Sequence, residues 1–244
     1  MSGAGLPPLL LVAGTLCDAR LWQGVAPALA PRVALQPVAW GEEADVACLA
    51  GRILAEAPPR FLIAGMSMGG SVALEVCAQA PARVAGLALI DSHPWADPPG
   101  RAEARRAQLA LARQQGLPAV IAQLWPGYVH PHRQGDEALR ALVTAMAQAC
   151  GLAQYERQLG LLASRADRTA VLAALRVPVL VAAGLQDALC PAGWQQAMHE
   201  LNAGSALRLL EEAGHFAVLE RPAEMAQALL AWLDDVAVAA PLNA

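Results

Sequence analysis

Short apolar runs alternate with longer segments of helical pattern along almost the whole chain of 244 residues. The apolar runs cover residues 9–13, 33–38, 61–65, 84–90, 179–183 and 206–210. Alternating strand and helix units form a parallel sheet that is covered by helices on both faces. The pattern therefore predicts an α/β fold with a mainly parallel sheet of about six strands flanked by helices.

Helices are predicted between these strands, several of them bounded by Pro, Gly or Asp. They are expected near residues 21–30, 43–57, 69–80, 191–202 and 222–233. The alternation breaks between Ser92 and Arg176, where the sequence becomes rich in Arg, Gln, Ala and Leu. We interpret residues 93–170 as a helical cap inserted into a core formed by residues 1–92 and 171–244.

The composition excludes several classes of function. A hydrophobic content of 56% suits one domain with a substantial core, and a net charge of −4 lacks the basic excess that nucleic-acid binding usually needs. All 17 basic residues are arginine. The absence of lysine excludes Schiff-base chemistry, a P-loop lysine and a serine-lysine dyad.

The cysteines and the first apolar run bear on location. The five cysteines are scattered without paired or zinc-like spacing, which favours reduced thiols and predicts neither a disulfide framework nor a metal site. The run at 9–13 is too short for a secretory leader or a membrane span and is interpreted as the first buried strand. A cytoplasmic protein without a membrane partner is expected.

The stretch Gly65-Met66-Ser67-Met68-Gly69 is a G-x-S-x-G motif between a predicted strand and a predicted helix. This is the setting of a nucleophile elbow, a strained turn in which side chains on either side of the serine would collide. A small serine in an ordinary tight turn is the structural alternative. The flanking strand and helix favour Ser67 as a nucleophile.

A serine nucleophile needs a base and a carboxylate that orients it. His215 lies in a Gly-containing loop between the last predicted strand and the last helix, and is the favoured base over a surface histidine. Asp187 ends the preceding strand and gives the chain order Ser, Asp, His of the α/β-hydrolases. Asp91 also follows a sheet strand and is the rival acid.

The other histidines are less suited to catalysis. His199 lies within a helical pattern and is expected to be exposed. His130 and His132 resemble a metal pair but lack a third ligand in the sequence. No metal is expected.

The loop after the first strand is the expected source of an oxyanion donor. Gly14 allows the backbone to approach the nucleophile, and Thr15 presents an N–H. The Met68 N–H, at the start of the helix after the elbow, is the second donor. Asp18 is a plausible N-cap for the segment that follows.

The stretches "VAGTLCDARLW" and "GMSMGGSVALE" resemble those of small bacterial carboxylesterase-like members of the α/β-hydrolase superfamily. The resemblance spans essentially the whole chain. It implies Ser67 as nucleophile, Asp187 as acid, His215 as base, and the Thr15 and Met68 amides as the oxyanion hole.

The function expected from these residues and this resemblance is hydrolysis of a small carboxylic ester through an acyl-enzyme, without a cofactor. Thioesterase, cofactor-free haloperoxidase or lyase chemistry would use the same three residues. A ligand receptor on this fold without catalysis is the alternative from another class. The oligomeric state is not predicted.

The cap is expected to select the substrate. The large side chains of the cap either form an apolar surface of the pocket or pack in the core of the cap, and the sequence favours neither interpretation. The candidate pocket residues are Leu16, His93, Trp95, Trp125 and Tyr128.

Four arginines of the cap, Arg101, Arg105, Arg106 and Arg113, form a second feature of interest. They would suit an acidic carrier or a carboxylate. Because Leu109 falls in the middle of their helical arc, a solvated helix face is the preferred interpretation.

Overall fold

The computed structural model describes residues 5–43, 45–98 and 100–239. Its centre is one sheet of six parallel strands in the order β2-β1-β3-β4-β5-β6. The strands are β1 (Leu9–Val12), β2 (Leu35–Pro37), β3 (Phe61–Met66), β4 (Val84–Ile90), β5 (Val179–Gly184) and β6 (Ala206–Leu210). The predicted fold class, strand number and direction are confirmed.

Ten α-helices surround the sheet within the described residues. They are α1 (Ala26–Leu29), α2 (Val46–Glu56), α3 (Met68–Gln79), α4 (Arg101–Gln115), α5 (Leu117–Tyr128), α6 (Glu137–Ser164), α7 (Thr169–Ala174), α8 (Ala192–Leu201), α9 (Ala217–Glu220) and α10 (Pro222–Ala239). Over the same residues, no helix combines the length and apolar character needed to cross a membrane.

The predicted helix at 21–30 is the one that differs most. A 3₁₀ turn at Ala19–Trp22 and the short helix α1 replace it, separated by a turn at Gly24. Gly24 packs so closely against Pro222 that an added Cβ would lie 2.8 Å from the proline Cβ. The chain therefore turns beneath α10 instead of continuing as one helix. Asp18 caps the 3₁₀ turn as expected, by accepting from the Arg20 N–H.

The burial of each strand depends on its position in the sheet. The strands β3, β4 and β5 are buried along their entire length, whereas β2 and β6 at the two edges are partly exposed. Two hydrophobic clusters cover the two faces of the sheet. Because the central strands are parallel, their carboxyl ends meet at one edge of the sheet, which is where α/β proteins bind their ligands.

Four helices, α4 to α7, lie between β4 and β5, and we call them the helical insertion. Side chains of the insertion, such as Trp125 and Tyr155, belong to the same hydrophobic cluster as Trp22 of the core. The Val46 N–H of α2 donates to Ser164 Oγ over 3.1 Å, which joins the last turn of α6 to the core. The insertion is thus packed into the molecule, and its division from the core at 93 and 170 stays a prediction.

Candidate active site

Ser67 lies in a sharp turn between β3 and α3. Its φ of 54° and ψ of −117° are strained values for a residue with a side chain. A Cβ added to Gly65 would overlap the Gly69 carbonyl, so that position requires glycine. The turn is fixed by the Ser67 N–H, which donates to the Ile90 carbonyl over 2.9 Å, and by Ser92 Oγ, which donates to the Ser67 carbonyl over 2.7 Å. The geometry is that of a nucleophile elbow.

The structure brings Ser67, His215 and Asp187 together from three different loops. His215 Nε2 lies 3.0 Å from Ser67 Oγ, and His215 Nδ1 lies 2.8 Å from Asp187 Oδ2. His215 and Asp187 are 3% and 4% exposed, so the hydrogen bond between them is shielded from water, while Ser67 is partly exposed. A hydroxyl, an imidazole and a carboxylate in this order can activate the hydroxyl for nucleophilic attack.

The carboxylate of Asp187 is held on both oxygens. While Oδ2 faces His215, Oδ1 accepts from the Leu189 N–H over 2.7 Å and from the Cys190 N–H over 2.9 Å. Burial opposes ionisation, but the charge and hydrogen bond of His215 and the two backbone donors together lower the pKa of Asp187. Asp187 is therefore an anion that can orient the imidazole.

The rival carboxyl, Asp91, occupies a different environment. It is completely buried at the end of β4, and its Oδ1 accepts from the Gly184 N–H over 2.9 Å. Burial, reinforced by the negative charge of Asp187, raises the pKa of Asp91 well above its usual range. Among the described residues, Asp91 Oδ2 has no hydrogen-bond partner. The environment of Asp91 thus favours its protonated form, and Asp91 ties the ends of β4 and β5 together, whereas the hydrogen bonds of the His215 ring in the described structure go to Asp187 and Ser67.

The two residues expected to supply the oxyanion donors are in contact through their side chains. Met68 is the first residue of α3, so its N–H has no acceptor within the helix. Thr15 Oγ1 lies 3.6 Å from Met68 Sδ, and an added Cβ at Gly14 would lie 3.5 Å from Ser67 Cβ. The loop after β1 is therefore packed against the elbow, where backbone donors can face an oxyanion.

Gln158 is a residue of this site that sequence reasoning missed. It is completely buried in α6, and its Oε1 accepts from the Leu16 N–H over 2.8 Å. Leu16 has a φ of 60°, a strained value that needs such support. The helical insertion thereby fixes the backbone next to Thr15. One glutamine in a long helix carries no sequence signal for this role.

A second missed residue, Glu220, organises the loop of His215. Its carboxylate accepts from the Gly214 N–H over 2.9 Å and from the His130 N–H over 2.7 Å. Tyr128, the last residue of α5, stacks on the His215 ring with centroids 5.9 Å apart. The imidazole is therefore held between the insertion and its own loop. In the sequence, only its position five residues after His215 could have indicated that Glu220 supports this loop.

A cavity of about 370 Å³ opens beside Ser67, which suits a small organic ligand. Of the predicted pocket residues, His93 and Tyr128 line this cavity, together with Ser67, His215 and the loop after β1. The lining residues are Gly14, Thr15, Cys17, Met66, Ser67, His93, Arg101, Ala104, Arg105, Gln108, Leu124, Tyr128, Tyr155, Leu159, Leu162, Arg165, Ala188, Leu189, Cys190, His215 and Phe216.

Three predicted pocket residues do not line this cavity, and packing explains each case. Leu16 is 1% exposed because it packs within the core cluster. Trp125 is 3% exposed, and its Nε1 donates to the Gln134 carbonyl. Trp95 stacks on His93, and both rings contact Trp194. These three side chains therefore pack against other residues and do not line the cavity.

Potential metal ligands overlap with the candidate catalytic residues. Within the described residues, the one group of three with suitable spacing is Asp187, Cys190 and His215, whose ligand atoms lie within 4.8 Å of one another. Burial and the charge of Asp187 raise the pKa of the Cys190 thiol well above its usual range, so the thiol is a weak ligand. His130 and His132 contact each other, but no third ligand of this kind joins them in the described chain.

Comparisons with known proteins agree with this geometry. The model of the Alpha/beta hydrolase family matches residues 9–228. The chain is 32% identical to the dihydrolipoyllysine-residue acetyltransferase component of the acetoin cleaving system of Pseudomonas putida, over 96% of this chain and 65% of that protein. It is 28% identical to the pimeloyl-[acyl-carrier protein] methyl ester esterase of Edwardsiella ictaluri, over 95% of both chains.

Among solved structures, a thermophilic esterase from Thermogutta terrifontis is similar, with a TM-score of 0.83 and 25% sequence identity. The match covers 96% of this chain and 92% of the esterase. Esterases and hydrolases thus recur among both the relatives and the structural neighbours.

Proposed function

The chain belongs to the alpha/beta hydrolase family, and we propose that it is a serine esterase that cleaves a small carboxylic ester through an acyl-enzyme. The observation that carries the proposal is the chain of hydrogen bonds from Ser67 Oγ through His215 to Asp187, at 3.0 and 2.8 Å. The strained backbone at Ser67 supports it, since strain of this kind clusters at functional sites.

In the proposed reaction, His215 Nε2 takes the proton of Ser67 Oγ as the oxygen attacks the ester carbonyl. The Thr15 and Met68 amides stabilise the resulting oxyanion. His215 then returns the proton to the leaving alcohol, and the acyl group stays on Ser67. Water, activated by His215 in the same way, hydrolyses this acyl-enzyme and restores the serine. Asp187 keeps the imidazole in the tautomer with the proton on Nδ1 throughout.

The first test is the variant Ser67→Ala, assayed with p-nitrophenyl esters from acetate to palmitate and with matched thioesters. We expect turnover to fall on the order of a million-fold, because the three side chains act as one unit. Ser71→Ala is the matched control, since Ser71 Oγ is buried on the same helix without a partner among the described residues. Near wild-type turnover by Ser67→Ala would remove the serine from the mechanism.

A fluorophosphonate probe separates an enzyme from a ligand receptor on the same fold. Stoichiometric labelling of Ser67 in the wild-type protein is the expected result. Folded protein that stays unlabelled would favour a binding role, whereas faster cleavage of thioesters than of oxygen esters would favour a thioesterase.

The cysteines support the expected cytoplasmic setting. All five are free thiols in the structure, and Cys17, Cys77 and Cys190 are buried. Free thiols persist in reducing compartments.

A further inference from the structure

We propose, building on the esterase function above, that this enzyme selects esters whose own structure carries a carboxylate, which Arg101, Arg105 and Arg165 bind. All three arginines line the cavity that also contains Ser67 and His215. Among the described residues, no Asp or Glu lines it. A cavity wall with several cations and no anion is complementary to a negatively charged ligand.

The positive charge is only partly neutralised within the protein. Asp97 accepts from Arg105 Nη1 with one oxygen and from Arg165 Nη2 over 2.6 Å with the other. Arg101 forms no side-chain ion pair or hydrogen bond with another described residue. Two of the three guanidinium groups share one carboxylate and the third has no such partner, which leaves a surplus positive charge at the cavity.

Burial makes this charge effective. The side chains of Arg105 and Arg165 are only 13% and 10% exposed, so solvent screens them less than surface groups. Arg165 Nε is buried without a hydrogen-bond partner among the described residues. His93 also lines the cavity. Burial and the nearby charge of Arg165 lower the pKa of His93 to about 4, so His93 is neutral at physiological pH. The charge on this side of the cavity therefore comes from the arginines and not from His93.

A carboxylate is the anion that fits this arrangement best within an esterase pocket. Guanidinium groups bind planar carboxylates through paired, charge-assisted hydrogen bonds. Leu124, Leu159 and Leu162 line the same cavity, so a short aliphatic chain has an apolar surface between the two ends of the substrate. The structure thus favours a molecule with an ester at Ser67 and a carboxylate among the arginines.

The position of the arginines favours a small substrate over an acidic carrier protein. Arg105 and Arg165 are mostly buried and are approached through the cavity. Arg106 and Arg113, on the same helix as Arg105, are exposed and do not line it. Arg101 is exposed as well, but it lines the cavity. An acidic protein surface would reach only the exposed arginines, whereas a small ligand in the cavity can reach the buried pair too.

The test compares matched esters. Monomethyl esters of succinic, glutaric and adipic acids are each paired with the methyl ester in which a methyl group replaces the free carboxylate. A second set of pairs places the carboxylate in the alcohol part of the ester, by comparing acetates of hydroxy acids with acetates of the matching alkyl alcohols. We expect kcat/KM to favour the charged member of at least one pair by about tenfold or more, the typical effect of a charge-assisted hydrogen bond.

The variants Arg101→Gln and Arg165→Gln should bring this ratio close to one, and the ratio cancels any general loss of activity. No described residue pairs with the Arg101 side chain, so its variant keeps the test valid if Arg165→Gln folds poorly. Arg106→Gln is the matched control and should keep the wild-type ratio. A loss of the ratio in Arg106→Gln but not in Arg101→Gln would overturn the pocket assignment.

A binding measurement separates this inference from the proposed catalysis. Calorimetry with folded Ser67→Ala should show tighter binding of a monomethyl dicarboxylate than of its neutral partner, and Arg101→Gln in the same background should remove the difference. Equal binding of the two esters would overturn the inference, while ester cleavage by the wild type would still stand. Selective binding without any turnover by the wild type would instead refute the esterase.

Discussion

The identity of the catalytic acid can be tested by converting each candidate aspartate to asparagine. In Asp187→Asn, the amide oxygen is expected to stay with the Leu189 and Cys190 N–H groups, which now donate to Oδ1 over 2.7 and 2.9 Å. The amide NH₂ then faces His215 Nδ1, which must accept. The imidazole proton moves to Nε2, so His215 can no longer take the proton of Ser67.

The magnitude follows from this change of tautomer. A serine triad with the wrong tautomer loses about ten-thousand-fold in turnover, equivalent to ~5 kcal/mol at the transition state. Asp91→Asn should lose less than about tenfold, because the raised pKa of Asp91 favours its neutral form and an amide oxygen can still accept from Gly184.

Both variants are assayed on one activated ester after circular dichroism and urea unfolding have shown that they fold. The reverse ranking would make Asp91 the acid. Equal mild losses would show that the hydrogen bond between His215 and Asp187 does not set the rate.

Two further predictions concern groups that lie behind the catalytic residues. Gln158→Leu removes the acceptor of the N–H of Leu16, whose backbone is strained. We expect kcat to fall by roughly tenfold to a hundredfold while KM changes little, because the adjacent oxyanion donor acts mainly in the transition state. A change in KM alone would assign Gln158 to substrate binding. Asp91 keeps its proton in the folded state at pH values where the unfolded chain has lost it, because its folded pKa is raised. The free energy of unfolding of the wild type should therefore fall relative to that of Asp91→Asn by up to ~1.4 kcal/mol per pH unit above about pH 4. Urea unfolding between acidic and neutral pH measures this difference, and a constant offset would contradict the assignment of a raised pKa.

The fold could be predicted because its determinants are local. Parallel strands buried on both faces appear as continuous apolar runs, and all six predicted runs overlap strands of the sheet. The elbow was equally visible, since a strained turn with no room for a Cβ requires glycine at Gly65 and Gly69. The segment at 21–30 was harder to predict because its interruption depends on a contact between Gly24 and Pro222, nearly two hundred residues away in the chain.

The supporting residues of the site could not be found from the sequence for the same reason. Gln158 reaches Leu16 across 142 positions, and nothing near either residue indicates the contact. The arginines of the cap show how periodicity can mislead. Helical spacing favoured one solvated face, and three of the four arginines are exposed, yet Arg101 and Arg105 also line the cavity. Which of these side chains faces the site depends on how the insertion packs over the sheet.

Deletion of the helical insertion tests how far it belongs to the catalytic centre. If the insertion only selected substrates, replacing residues 93–170 with a short linker would change chain-length preference and leave turnover of a small acetate ester intact. The contacts argue otherwise, because the deletion removes the Gln158 acceptor of the oxyanion loop and the Tyr128 ring stacked on His215. It also exposes core side chains that pack against the insertion, such as Trp22. We expect the deletion to lose turnover of all esters, p-nitrophenyl acetate included, and to lower the urea midpoint. A folded deletion that cleaves p-nitrophenyl acetate at the wild-type rate would show that the sheet and its loops position Ser67 and Thr15 without help from the insertion.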